Sequence, residues 1–257
     1  MSTLLAASLA TLVFCAPGYP GGAGDAQPLV EQFAGAAAAA SGWPAGSLTA
    51  VYDPTEEGGL EKLNQADAVL TFVPYPFYVE HAAELHLSPL VQADVTDIGP
   101  QQRWTLVAKI GRVTTPKSMA GYTILSVAGY APNFVRHSAL ESWVLPPDVK
   151  IEATGQILSA LRRAAAGEPV AVLLDQGQAA ALPSLPFATE LKAVTQSAEL
   201  PVALIAVGGP RVAAGRAKAL QTGLLKMGHV SAGADSLGPL RLHGFVLPKL
   251  PSYTAAP

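Results

Sequence analysis

The chain has 257 residues, half of them apolar and 14% charged, with a formal net charge of −3. That balance belongs to a globular protein and excludes a disordered one, and no basic block supplies the footprint of a nucleic-acid binder. Cys15 is the single cysteine, which excludes an internal disulfide and any cysteine-built metal centre.

The first fifteen residues, MSTLLAASLATLVFC, are apolar enough for the core of an export signal, yet the first basic residue is Lys62. Residues 1–10 read as the end of a truncated or atypical signal, placing the protein in the periplasm or otherwise outside the cytoplasm. The alternative is an unstructured start of a cytoplasmic protein. No apolar run reaches the ~20 residues of a membrane span, so contact with a membrane is peripheral at most.

Strand-like and helix-like runs then alternate. ATLVFCA is a first strand, followed by a loop rich in proline and glycine. A helix is expected from about Asp25 to Ala40, with Leu29, Phe33 and Ala37 on one face and Gly42 as its stop. LTAVYD (48–53) is a second strand, GGLEKLNQ a short helix and DAVLTFV (67–73) a third strand. A helix over residues 76–85 follows, with Pro76 in its first turn. LVQADVT and WTLVAKIG are two more strands.

A second series starts at strand YTILSVAG (122–129), then helix PNFVRHSALESWV, strand VKIEAT, helix QILSALRRAAAG and strand EPVAVLLDQ. Strands ELKAVTQ and PVALIAV (201–207), a long helix and LRLHGFVLP close the chain. Two βα series joined by extended strands predict two α/β lobes with parallel-rich sheets. The expected division is residues 1–105 with 204–257 in one lobe and 106–203 in the other. The hinge is expected at two antiparallel strands near Leu106–Ile110 and Val202–Val207.

Several of these stretches together resemble one family. They are the opening strand with PGYPGGAGDAQPLVEQFA, then LNQADAVLTFVPYPFYVEH, then LVAKIGRVTTPKSMAGYTILSVAGYAPNFV. LRRAAAGEPVAVLLD and the return LPVALIAV complete the series. In order and spacing they are similar to the phosphate/phosphite/phosphonate-type substrate-binding proteins of ABC transporters, over about residues 11–250. The resemblance implies a type 2 periplasmic-binding fold, a Venus-flytrap receptor that holds a solute between two lobes and delivers it to an ABC permease. It implies a monomer with no cofactor and no catalysis. The second-lobe loop SVAGYAPN is poorer in hydroxyls than the family's phosphonate loop.

Ligands of open α/β sheets sit beyond the carboxyl ends of the strands, where helix N-termini converge. Gly18 and Tyr19, after Pro17, precede a helix whose free N–H groups favour an anion. Tyr75 follows Pro74 at the end of the third strand and offers a hydroxyl or a ring wall. In the second lobe Ser126, Gly129, Tyr130 and Asn133 surround a loop, and Pro132 fits a first helical turn. Asp175 ends AVLLDQ, where a carboxylate needs a donor: a ligand, a basic side chain or a hinge backbone group. The expected ligand is a small oxyanion, or a molecule bearing one, gripped by backbone N–H groups and hydroxyls.

Other activities compete. GGAGDAQ after a strand, with Asp53 after the second strand, suggests a nucleotide-dependent oxidoreductase, but Gln27 stands where G-x-G-x-x-G needs its third glycine. A same-fold biosynthetic enzyme or sensor domain stays open. No G-x-S-x-G elbow occurs, and His81 and His86 lack a metal-binding helix spacing, which speaks against a hydrolase and a metal site.

Overall fold

The computed structural model describes residues 10–18, 21–229 and 231–251. The first strand, β1 (Ala10–Cys15), is buried along its whole length, as expected of a continuous apolar run inside a parallel sheet. It leads to α1 (Ala23–Ala40), which buries Val30, Phe33, Ala34 and Ala37 as one helical stripe. Next come β2 (Leu48–Asp53), α2 (Glu56–Leu63), β3 (Ala68–Pro74), α3 (Tyr75–His81) and β4 (Leu87–Val95).

A short strand, β5 (Gln101–Gln102), precedes β6 (Thr105–Lys109), β7 (Thr123–Ser126), α4 (Pro132–Phe134) and β8 (Lys150–Ala153). The chain continues through α5 (Ile157–Ala166), β9 (Val170–Leu174), α6 (Gln176–Ala181), β10 (Leu191–Gln196) and β11 (Leu200–Pro201). It ends with β12 (Ala203–Gly208), α7 (Ala214–Met227), α8 (Ser231–Leu237) and β13 (Leu242–Val246).

Among the described residues two large sheets form, one per lobe, besides a two-stranded ribbon. The first has the order β13-β4-β12-β3-β1-β2 and the second β10-β6-β9-β7-β8. Each has a parallel centre, β2-β1-β3 and β8-β7-β9, extended on one side by antiparallel strands. Strand β12, returning from the second lobe, inserts between β3 and β4. The first core is centred on aromatic contacts: Phe14 lies 5.4 Å from Phe33 edge to face and 5.0 Å from Phe72. The second gathers Trp104, Leu106, Ile124 and Phe134, and takes in Tyr75 from the first lobe's α3.

The hinge lies elsewhere than expected. Leu106–Ile110 and Val202–Val207 do not pair with each other; β6 sits between β9 and β10, and β12 between β3 and β4. The two lobes are joined by a ribbon just outside those strands, in which Gln102 pairs with Leu200 and Gln101 with Pro201, antiparallel. Two facing hydrogen bonds between Trp104 and Ser197 continue it, from Trp104 N to Ser197 Oγ at 2.9 Å and from Ser197 N to the Trp104 carbonyl at 2.8 Å. The apolar runs are spent inside the sheets, where both faces are covered, and the crossing is left to the two-residue segments Gln101–Gln102 and Leu200–Pro201, too short to carry a strand signal of their own.

Two helices are shorter than their periodicity suggests. Helix α3 stops at His81, and the chain turns through His86 at φ +50°. Past α4, a π turn over Val135–Ala139 replaces the expected long helix.

Candidate functional site

The carboxyl ends of β1, β3 and β9 come together near the ribbon, as the strand-end rule requires. A cavity of about 370 Å³ opens there. Phe14, Cys15 and Ala16 of the β1 end border it, with Phe72, Val73 and Pro74 of the β3 end. Ala26 and Val30 of α1, Tyr52 of β2, Val95 of β4 with Ile98 after it, Ala203 of β12, and Leu240 and Leu242 complete the first sheet's share. Gln102 and Val202 border it from the ribbon, and Asp175 is the second lobe's contribution. No Lys, Arg or His lines it among the described residues. Its walls are mostly apolar; among the described residues Gln102, Asp175, the Tyr52 phenol and the Cys15 thiol bring polar groups to its lining.

Asp175 is the N-cap of α6, its Oδ1 accepting from Gln178 N at 2.8 Å while Gln178 Oε1 accepts from Asp175 N at 3.2 Å. Burial pushes its carboxyl above the usual range, and the backbone N–H groups of Gln178 and Gly177 offset only part of that. Gln102 is 2% exposed, and its Nε2 has no hydrogen-bond partner among the described residues. Cys15 is buried; desolvation, with the charges of Asp53 and Glu56, pushes its thiol up to about 12. It remains a protonated thiol donating to the Thr55 carbonyl at 3.4 Å.

The other expected contacts are placed differently. Gly18 turns at φ +82°, and a Cβ there would stand 2.4 Å from the Val127 carbonyl oxygen, so the loops after β1 and β7 meet backbone to backbone across the lobes. Tyr19 lies outside the described residues. Tyr75 is fully buried, its ring stacked 6.2 Å from Tyr78 and edge-on to Phe134 at 6.1 Å. Ser126 is fully buried, donating to the Leu173 carbonyl at 2.8 Å and accepting from Ala128 N at 3.1 Å.

Gly129 is pressed against the end of β8, where a Cβ would be 2.1 Å from the Glu152 carbonyl oxygen, and its N–H bonds back to Ser126. Tyr130 packs against the cores of both lobes. Asn133 is met by Glu80 of α3: its N–H donates to Oε2 and its Nδ2 to Oε1, both at 2.9 Å. The helix start expected to hold an oxyanion thus holds the protein's own carboxylate. Sequence reasoning passed over Glu80, Gln102 and the apolar cavity walls; Glu80 falls in a helical pattern, and a wall of Phe14, Val30 and Phe72 reads as core.

The residues suggestive of a nucleotide site are also engaged locally. Gln27 Oε1 accepts from Tyr52 N at 3.0 Å and its Nε2 donates to the Ala50 carbonyl at 2.8 Å, pinning α1 to edge strand β2. Burial opposes the charge of Asp53, but hydrogen bonds from Lys62 and Thr55 together outweigh it and hold the carboxyl below its usual range.

No protein-family model matches the chain, and no curated protein matches it in sequence. Solved structures do. XAC2383 from Xanthomonas citri, in a structure bound to ATP, superposes with a TM-score of 0.67 at 12% identity, over 95% of this chain and 92% of that one. PhnD1 from Prochlorococcus marinus, in complex with methylphosphonate, gives a TM-score of 0.59 at 12% identity, over 95% and 93%. An ancestral arginine-binding protein bound to arginine gives 0.53 at 14% identity, over 90% and 98%. At such identities the likeness establishes the fold: a two-lobed, type 2 periplasmic-binding fold.

Proposed function

Starting from that fold, we propose that the chain is an extracytoplasmic solute-binding receptor of an ABC-type uptake system. In this reading residues 1–105 with 204–257 form one body and 106–203 the other. They close on a small solute by bending at the ribbon of β5 and β11. The observation that carries it is the cavity at the strand ends, bordered by the first lobe, the ribbon and Asp175 of the second lobe. A ligand touching all three favours the closed population through its differential contacts.

The reading includes no chemistry. Cys15 at the cavity is held as a thiol, and Asp175 caps α6.

An oxyanion at the second-lobe loop is a second reading, favoured by the carboxylate to which the Asn133 N–H already donates. Phosphate or a phosphonate would there replace Glu80, with Gly18, Tyr19, Tyr75, Ser126, Gly129 and Tyr130 around it. A nucleotide such as the ATP bound to the Xanthomonas protein would meet no cationic side chain among the described residues of the cavity.

Small-angle scattering of the purified protein with a solute panel tests the receptor reading. A bound solute is expected to narrow the particle's dimensions and to be recovered unchanged. Conversion of the solute, or binding with no change in dimensions, would overturn it.

A further inference from the structure

The walls of the cavity select among solutes more narrowly than the fold does. Phe14 and Phe72 border it with their ring centroids 5.0 Å apart. Phe33 lies 5.4 Å from Phe14 edge to face, and Phe245 lies 6.1 Å from Phe72 and 5.9 Å from Phe33. Four mutually packed rings thus fix the two at the cavity in place, and a flat apolar body meets a surface that needs no rearrangement to receive it. Val30, Leu240 and Leu242 extend the same apolar lining.

Charge points the same way. No Lys, Arg or His lines the cavity among the described residues, so an anion would be stripped of water there with no counter-charge to meet it. A cation would find one carboxylate, Asp175, whose Oδ1 already accepts from Gln178 N at 2.8 Å as the cap of α6. The Cys15 thiol is likewise spent on the Thr55 carbonyl. We propose that this cavity takes an uncharged small molecule whose bulk is a flat apolar ring system laid against Phe14 and Phe72. A volume of about 370 Å³ is within the range of small-molecule sites and has room for two fused rings. The inference rests on the receptor reading above and narrows it to a ligand class.

Compounds that share a naphthalene body and differ in charge test it: 1-naphthylmethanol, 1-naphthoate and 1-naphthylmethylammonium. Calorimetry at neutral pH should show the alcohol bound at least about tenfold more tightly than either ion, because each ion is desolvated without a free counter-charge. Ala26 is a half-buried lining residue in the first turns of α1. Ala26→Lys brings a cation to the cavity while leaving the aromatic cluster intact, and should reverse the order of the alcohol and 1-naphthoate. Phe72→Leu keeps the wall apolar but removes a ring, and should weaken the alcohol about two- to tenfold, the scale of one aromatic pair. Near-UV circular dichroism verifies that each variant is folded.

Either ion bound as tightly as the alcohol, alcohol binding unmoved by both substitutions, or no alcohol binding at ~1 mM would each overturn the ligand class. Small-angle scattering scores the receptor reading separately. If methylphosphonate compacts the particle and the alcohol does not bind, the receptor stands and the uncharged ligand falls. If the alcohol binds with the expected preference and leaves the particle's dimensions unchanged, the cavity keeps its ligand class and the receptor reading falls.

Discussion

The start of α4 and the cavity beside β1 and β3 treat polar groups in opposite ways. At α4 the donors are met from within: Asn133 by Glu80, the Gly129 N–H by Ser126, the Ala131 N–H by Ala128. Beside the cavity the Gln102 amide nitrogen is buried without a partner among the described residues, and at the cavity the Asp175 carboxylate sits where burial penalises its charge. A folded chain rarely leaves such groups unmet in its interior. The contrast teaches that a helix start with its donors occupied is structural in this conformation, whereas the cavity's polarity is met in part and its walls are left apolar.

The sharpest way to break the contrast is to remove a wall of the cavity. Phe14→Ala takes away a ring that touches both Phe33 and Phe72 and should cost about 3–5 kcal/mol, as large-to-small changes in aromatic cores do. Urea unfolding measures it. A loss well below that range would mean that the ring already borders empty space along most of its surface, and that the cavity is larger than its walls suggest.

Glu80→Ala attacks the other region. It leaves the Asn133 N–H and side-chain amide without their carboxylate and should lower stability by about 1.5–3 kcal/mol, the value of hydrogen bonds to a charged group, toward the low end because the pair is partly solvated. The same variant should bind phosphate more tightly than the native protein, read by calorimetry. Stability unchanged in this variant would reduce the Glu80 contact to an incidental one.

The smallest effect concerns Asp175, and its sign is definite. Burial raises its folded carboxyl above the unfolded value, so the folded state holds more protons over that interval. Stability from this group therefore falls as pH rises from the ordinary carboxylate range through the raised folded value. Asp175→Asn has no such fall and keeps the cap. Its urea midpoint should exceed that of the native protein at neutral pH, and the difference should vanish in acid, below the ordinary carboxylate range. A bound ligand that donates to Asp175 should shrink the same difference.

The architecture was legible because its signals are local. Runs such as LVFC and VAVLL, buried on both faces, announce interior strands, and α1 and α7 carry helical periodicity. The ribbon was not, since Gln101–Gln102 and Leu200–Pro201 are strands only by virtue of each other. At the site, Asp175 was legible from its position at the end of a buried strand. Ser126 looked equivalent, yet its hydroxyl meets the Leu173 carbonyl 47 residues away. A sequence does not display which carbonyl a neighbouring strand will bring alongside. The cavity escaped for a related reason: Phe14 and Phe72 have the same pattern whether their outer faces meet protein or a void.

Gly18 carries a consequence for how the two lobes work as a machine. The loops after β1 and β7 touch there backbone against backbone, in a conformation with positive φ and with no room for a methyl group. The resting angle between the lobes is thus limited by an atom that is missing, and any side chain at that position acts as a wedge. Because Gly18 is not part of the cavity wall, a wedge there would, in the proposed receptor, shift the balance of open and closed forms while leaving the cavity lining as it was. In the receptor proposed above, shutting and recognising would be separate adjustments, made at different residues.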